Sequence, residues 1–214
     1  MDTETGVAKN VHYGDVLIKF GEYLDASSST LPYIPSQPIL DKFKGSLLQD
    51  GDVIMADTAE DEAVGKCTEI TGLQGFPTIS GLHTIPLRPK EKFAPGYLGY
   101  YMNSGSYHDQ LLPLMQGIKV TSVSKSAILN TDISYPVDND EQAKIGGFFI
   151  RLENLITLHQ REHATGDNVR SAQRRQGPHN QINILIFQFM NNVKIRFLCG
   201  RHTGMAKSPG YASN

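Results

Sequence analysis

The chain has 214 residues, 39% hydrophobic and 8% aromatic, with a formal net charge of −2. That length fits one domain plus an appendage, and no apolar run approaches the roughly 18 residues that span a bilayer. Two distant cysteines, Cys67 and Cys199, have no second Cys or His at metal spacing, and the polar start MDTETGVAKN is no secretory signal, so a reducing cytoplasm is the expected compartment.

Val16 to Phe20 (VLIKF) is predicted as a short strand entered through the Gly14-Asp15 turn. Ala26 to Gln37 is Ser- and Pro-rich loop. Asp50-Gly51-Asp52 is a turn signal, and Val53 to Ala56 leaves it as a buried strand. Asp57 to Glu62 is an acidic loop. Lys66 to Ile70 alternates as a strand, and Thr78 to Leu87 is strand-like but broken by Gly81. Strands joined by hairpins predict a mostly antiparallel sheet. The period then changes. Tyr97 to Asn103 and Tyr107 to Met115 are helical in pattern. Gly117 to Val123 is extended, Ser124 caps one or two helical turns ending near Asn130, and Ile133 to Val137 is again extended.

The last helix is predicted from Glu141 to Glu162. Asp138 and Glu141 have the spacing of a capping box, with Asp in place of Ser or Thr. Ile145, Phe148, Leu152, Leu155 and His159 recur three and four apart as an a/d stripe, which Phe149 and Ile156 widen. Such a seam fits contact with a second helix, and fits equally a helix packed on its own domain. The predicted class is mixed α/β: a mostly antiparallel sheet with helices over residues 1–137, then a long, protruding coiled-coil-type helix over 138–162.

Beyond that helix the composition shifts. Up to Glu162 there are 13 Lys+Arg and 21 Asp+Glu; from His163 to Asn214 there are 7 Lys+Arg and the single acid Asp167. Residues 163–214 therefore form an atypical basic tail. It holds an apolar, uncharged run, INILIFQFM, of the kind that aggregates in isolation.

Catalytic signatures are not found. Asp57, Glu60, Asp61 and Glu62 lack the alternating acids and distal Glu of a calcium loop and fit a solvated loop better. His12, His83 and His108 have no partner at ligand spacing and are taken as structural or surface residues. The sequence has no G-x-S-x-G elbow, phosphate-binding P-loop or strand-coupled G-x-G-x-x-G. The pattern is that of a binding module. Gln116 to Lys125 (QGIKVTSVSK) concentrates two lysines and three hydroxyls around a flexible Gly. Those groups suit phosphate contact, with a helix N-terminus at Ser124 adding N–H donors. Polar loops of this composition are also ordinary surface.

Five phrases in order and spacing carry a resemblance: HYGDVLIKFGEYLD (12–25), LLQDGDVIMADTAEDEAVGKCTEI (47–70), TISGLHTIPLRP (78–89), FAPGYLGYYMNSGSYHDQLLPLMQGIKVTSVSKSAI (93–128) and YPVDNDEQAKIGGFFIRLENLITLHQRE (135–162). Over roughly residues 9 to 162 the chain resembles one target-recognition half of the specificity subunit of type I restriction-modification enzymes. The resemblance implies a non-catalytic subunit that reads double-stranded DNA and guides modification and restriction subunits. S-adenosylmethionine, ATP and Mg²⁺ would belong to those partners. It implies a helix that packs on a second recognition half, or on a second copy, and sets the spacing of a split target. Ile145, Phe148, Leu152, Leu155, Ile156 and His159 are then the expected helix interface. DNA contact is expected at Lys66, after the Gly65 turn; at His83 and Thr84, after Gly81; and at Lys119, Thr121, Ser122 and Lys125 in the Gly117 loop. The chain departs from the family in offering one recognition domain, in starting close to the first matching strand, and in its tail. That tail fits a reading-frame change in a truncated cassette, an artefact of assembly or a functional basic extension. The competing function is a regulatory fragment that binds the modification subunit through its helix without reading DNA.

Overall fold

The first apolar run folds as a helix rather than the predicted strand. In the computed structural model, which describes residues 5–60 and 63–167, β1 (Ala8–Val11) leads directly into α1 (Tyr13–Ile18). Val16 and Phe20, four apart, are buried together, whereas Ile18 is exposed. A strand would have placed all three on one face. His12 caps the helix, its Nδ1 accepting from the Gly14 amide at 3.1 Å, and an Asp15–Lys19 ion pair spans one turn. Histidine is not among the usual capping residues, so the start was hidden in the sequence.

The chain continues through β2 (Tyr23–Asp25), β3 (Tyr33–Ile34), α2 (Gln37–Lys42), β4 (Val53–Ala56), β5 (Thr58–Ala59), β6 (Cys67–Thr71), β7 (Thr78–Ser80) and β8 (Thr84–Leu87). A four-stranded sheet has the order β2-β6-β4-β8, and a three-stranded sheet the order β3-β1-β7. Four of the six pairings are antiparallel, but β1 pairs with β7 and β2 with β6 in parallel. Parallel partners cannot be joined by a tight hairpin, so these pairings rest on contacts distant in sequence.

Strand β4 is buried on both faces. Val53 and Met55 enter one apolar cluster with Leu98, Met102 and Tyr107; Ile54 and Ala56 enter another with Val16, Phe20 and Leu24. This is the two-residue period of a strand covered on both sides. The Asp50-Gly51-Asp52 turn that launches it is fixed by Arg88, whose Nε and Nη2 donate to the two Asp52 carboxylate oxygens at 2.8 and 2.7 Å. Such forked, charge-assisted pairs hold both partners in one orientation.

Helices α3 (Tyr97–Met102) and α4 (Gly105–His108) cover one face, followed by a 3₁₀ turn at Leu112–Leu114, β9 (Thr121–Ser122), α5 (Lys125–Ile128) and α6 (Asn139–Asp167). The buried Glu69 carboxylate accepts from the Gly96 and Gly99 amides at 2.8 and 3.1 Å. It thus satisfies donors that the start of α3 would otherwise leave unpaired. Asn103 closes the other end, its Nδ2 donating to the Cys67 and Gly99 carbonyls and its Oδ1 accepting from the Cys67 amide.

Helix α6 begins as the capping signal predicts, with Asp138 Oδ1 accepting from the Asp140 amide at 2.9 Å. It runs to Asp167, beyond the predicted stop at Glu162. Its buried stripe differs from the predicted seam. Gln142, Gly146 and Phe149 face the domain. Gln142 accepts from the Ala94 amide and donates to the Pro136 carbonyl, Gly146 lies on the backbone of Pro95 and Tyr97, and Phe149 stacks on Tyr100 at 5.2 Å. Ile145 also packs against the domain core. The expected interface is therefore split. Ile145 and Phe149 serve the intramolecular contact, Leu152 and Ile156 are half-buried, and Phe148, Leu155 and His159 are exposed together with Leu158. Positions 142, 146, 149 and 153 form a face about a third of a turn from the a/d stripe, because a lone glycine permits the close approach that the apolar pattern does not announce.

Most of the basic tail, residues 168–214, lies outside the described residues, as do Asp61 and Glu62 of the acidic loop. Among the described residues no helix is long and apolar enough to cross a membrane.

Candidate nucleic-acid interface

Two of the predicted contact segments meet at Asp57, the residue between β4 and β5. Its backbone amide donates to the His83 carbonyl at 3.1 Å, and its own carbonyl accepts from the Val123 amide at 2.9 Å. Its carboxylate accepts from the Thr58 hydroxyl at 2.7 Å and lies 3.5 Å from His83 Nδ1. The Gly81 turn and the Gly117 loop, more than thirty positions apart in sequence, are thereby fastened to one point.

The Gly81 turn is locally locked. Thr84 Oγ1 donates to the Gly81 carbonyl and is 2.5 Å from Ser80 Oγ. His83 has φ of 57°, a left-handed conformation that a non-glycine residue adopts only where its surroundings impose it. The Tyr13 ring meets His83 edge-on at 5.4 Å, and His12 lies 4.6 Å from Tyr13. His83 is exposed, but the Thr84 hydroxyl is committed to the turn.

In the Gly117 loop, Gln116 and Ser122 exchange backbone hydrogen bonds at 2.9 and 2.8 Å. Thr121 and Ser122 pair with Ala59 and Thr58 as a two-stranded antiparallel ribbon. Gly117 has φ of 122°, and a side chain there would run into the Val120 carbonyl. Glycine is therefore required by both conformation and space. Lys119 and Ser122 are exposed, while Thr121 and Lys125 are half-buried. Ser124 caps α5 as predicted, its Oγ accepting from the Ala127 amide at 3.1 Å. That bond uses one of the donors the sequence offered for phosphate, and α5 is a single turn.

Lys66 leaves the candidate set. Its ammonium donates to the Leu17 carbonyl at 3.1 Å, and burial, partly countered by the charge of Glu22, lowers its pKa. A lysine directed inward in this way does not meet a phosphate. The strand predicted over Lys66–Ile70 runs Cys67–Thr71, so Lys66 lies just before it, and nothing local showed the carbonyl waiting in α1.

Residues missed at the sequence level are Asp57, Tyr13 and Leu82. The sequence shows Asp57 only as part of an acidic loop and gives Tyr13 no separate signal. Leu82 is an exposed apolar residue inside a strand-like run. Away from these turns, a concavity of about 420 Å³ is lined by residues that include Tyr23, Asp52, Glu69, Arg88, Lys90 and Phe93. It mixes both signs of charge, and its Arg88 is tied to Asp52. Among the described residues no group of three or more His, Cys, Asp or Glu side chains is placed to hold a metal ion.

No protein-family model matches the chain, and no curated protein is significantly similar to it.

Proposed function

We propose that this chain reads one half of a bipartite double-stranded DNA target, as part of the specificity component of a type I restriction-modification system, without catalytic residues of its own. The observation that supports this reading is the junction at Asp57, to which two exposed turns are both hydrogen-bonded. The five phrases quoted above supply the family. Lys119 and Lys125 hold phosphates, which fix position but not sequence. Ser122, Thr121 and His83 face base edges, where hydroxyls and a ring nitrogen discriminate. Helix α6 is the spacer. A 29-residue helix is about 43 Å long, somewhat more than the roughly 34 Å of one DNA turn that separates paired half-sites. Modification and restriction subunits are the partners and bring S-adenosylmethionine, ATP and Mg²⁺.

Replacing Lys119 and Lys125 together by alanine, in an assembled methyltransferase carrying this chain, is expected to lower affinity for all sequences alike. It should also reduce the slope of log affinity against log salt by about two. An unchanged salt titration would remove the Gly117 loop from the interface.

The exposed stripe of Phe148, Leu155 and Leu158 favours a second reading, in which the chain serves mainly as a protein-binding fragment. Leu155 is 63% exposed, so Leu155→Asp tests the stripe without disturbing the packing on α3. Association with a second copy or with the modification subunit is expected to weaken at least about ten-fold, as for a central apolar contact, with the melting temperature unchanged. Equal association by light scattering and pull-down would end the partner role of this stripe. Loss of association together with no DNA binding by the intact chain would select the fragment reading.

A further inference from the structure

The interface carries two apolar side chains that neither phosphate contact nor polar base recognition uses. Leu82 is 78% exposed at the apex of the Gly81 turn, and Ile118 is fully exposed at the apex of the Gly117 loop, where Val120 is 54% exposed. Scattered exposed apolar residues are ordinary on protein surfaces. These two differ in how they are presented. The Gly81 turn is held by the Thr84 hydrogen bonds and the His83–Asp57 backbone bond, and it keeps His83 in a left-handed conformation. The Gly117 loop is closed by the paired Gln116–Ser122 bonds and by a glycine that only a bare Cα can replace. Both apices therefore sit on ordered turns, and both turns are anchored to Asp57. With the backbone of each turn already held, contact at the apices requires little further ordering of the main chain.

Resting on the DNA-reading function above, we propose that Leu82 and Ile118 are specificity-determining residues, each lying against the C5 methyl group of a thymine in the major groove. The chemistry selects that group. Among major-groove base edges, the thymine methyl is the apolar feature; the rest are hydrogen-bond donors and acceptors that an aliphatic side chain cannot satisfy. Lys119 beside Ile118 supplies the phosphate contact that brings the loop to the groove, so position and sequence are read by neighbouring residues.

The test uses the full chain, alone and assembled with a modification subunit. The target is first selected from random-sequence duplexes, and each thymine of the selected site is then replaced singly by deoxyuridine, which lacks only the methyl group. Two replacements are expected to weaken binding by the wild-type chain, each by about four-fold, the factor that accompanies burial of one methyl group. Leu82→Ala should abolish the effect at one position and Ile118→Ala at the other, with Ile118→Val retaining most of it. Unchanged melting temperatures establish that the variants are folded. A selected site without thymine, or equal affinity for every deoxyuridine duplex, overturns the proposal. So does methyl sensitivity that survives both alanine variants. A selected site combined with no methyl sensitivity refutes the apolar contacts alone, including the case where Leu82 or Ile118 instead wedges between bases and bends the duplex. Failure to select any site refutes the DNA-reading function and this inference with it.

Discussion

Gly99→Ala is expected to cost at least about 4 kcal/mol of folding stability, in the range reserved for severe core disruption. A Cβ on Gly99 would clash with the Glu22 carbonyl oxygen and lie 3.0 Å from the Glu69 Cβ. That carbonyl already accepts from the Glu69 amide at 2.9 Å, in the parallel β2–β6 pairing, and Gly99 donates to the Glu69 carboxylate at 3.1 Å. The methyl group thus presses α3 off the sheet at a point where backbone, not a flexible side chain, must yield. Alanine's helix propensity offers about 1 kcal/mol in the other direction, too little to offset this. Gly147→Ala is the matched control. Its Cβ would meet nothing nearer than Arg151 Nη2 at 3.6 Å, so the propensity gain should appear as stabilisation of up to about 1 kcal/mol. Urea unfolding of the two variants checks both signs. A Gly99→Ala protein as stable as wild type would mean that α3 does not sit on β2 and β6 as described.

The contrast between those glycines shows what a sequence can and cannot disclose. Signals confined to a few neighbouring residues were legible: the Asp50-Gly51-Asp52 turn before β4, the Gly81 break between β7 and β8, Ser124 as a cap, and Asp138 at the start of α6. Each depends on backbone geometry that its own residues impose. Helix α1 was not legible, because a histidine caps it and only the burial of Val16 with Phe20 separates a turn of helix from a strand. The parallel pairings were equally hidden, since β1 and β7 become neighbours through contacts separated by more than sixty residues. The candidate interface divides in the same way. Each of its turns could be read from its glycine, but their meeting at Asp57 depends on two backbone hydrogen bonds that no local pattern encodes. Lys66 failed for the same reason in reverse, its ammonium captured by the distant Leu17 carbonyl. The a/d stripe of α6 was found, yet the face that docks on the domain is organised by Gln142 and Gly146, which a hydrophobic pattern passes over.

Across from α6, on the sheet domain, lies the group whose replacement should change the pH dependence most. Glu22 is buried, its Oε2 has no hydrogen-bond partner among the described residues, and its pKa is pushed up to about 7. Burial is the main cause, the Glu153 carboxylate on α6 adds to it, and Lys66 partly counters both. Tyr100 on α3 donates to Glu153 at 2.5 Å, and Glu69 and Cys67 on β6 are the other titratable groups around this seam. In the unfolded chain Glu22 ionises near its ordinary value of 4.5. Between pH 4.5 and about 7 the folded chain therefore holds a proton that the unfolded chain has lost, and stability falls as pH rises through that window. The penalty is absent below pH 4.5 and complete above about pH 7, where it amounts to about 3 kcal/mol from this group. Glu22→Gln keeps the shape of the protonated acid and removes its charge. The variant should match wild type near pH 4 and exceed it by up to about 3 kcal/mol at pH 8. Glu69, whose pKa is also raised by burial, contributes to the slope that remains. Urea titrations at four pH values between 4 and 8 provide the comparison, and parallel curves for the two proteins would exclude a buried, protonated Glu22. Because Glu153 belongs to α6 while Glu22 belongs to the sheet domain, the same charge repulsion acts across the contact that orients the spacer helix. Protonation of Glu22 therefore stabilises the seating of α6 as well as the fold, and in Glu22→Gln that seating no longer depends on the Glu22 proton.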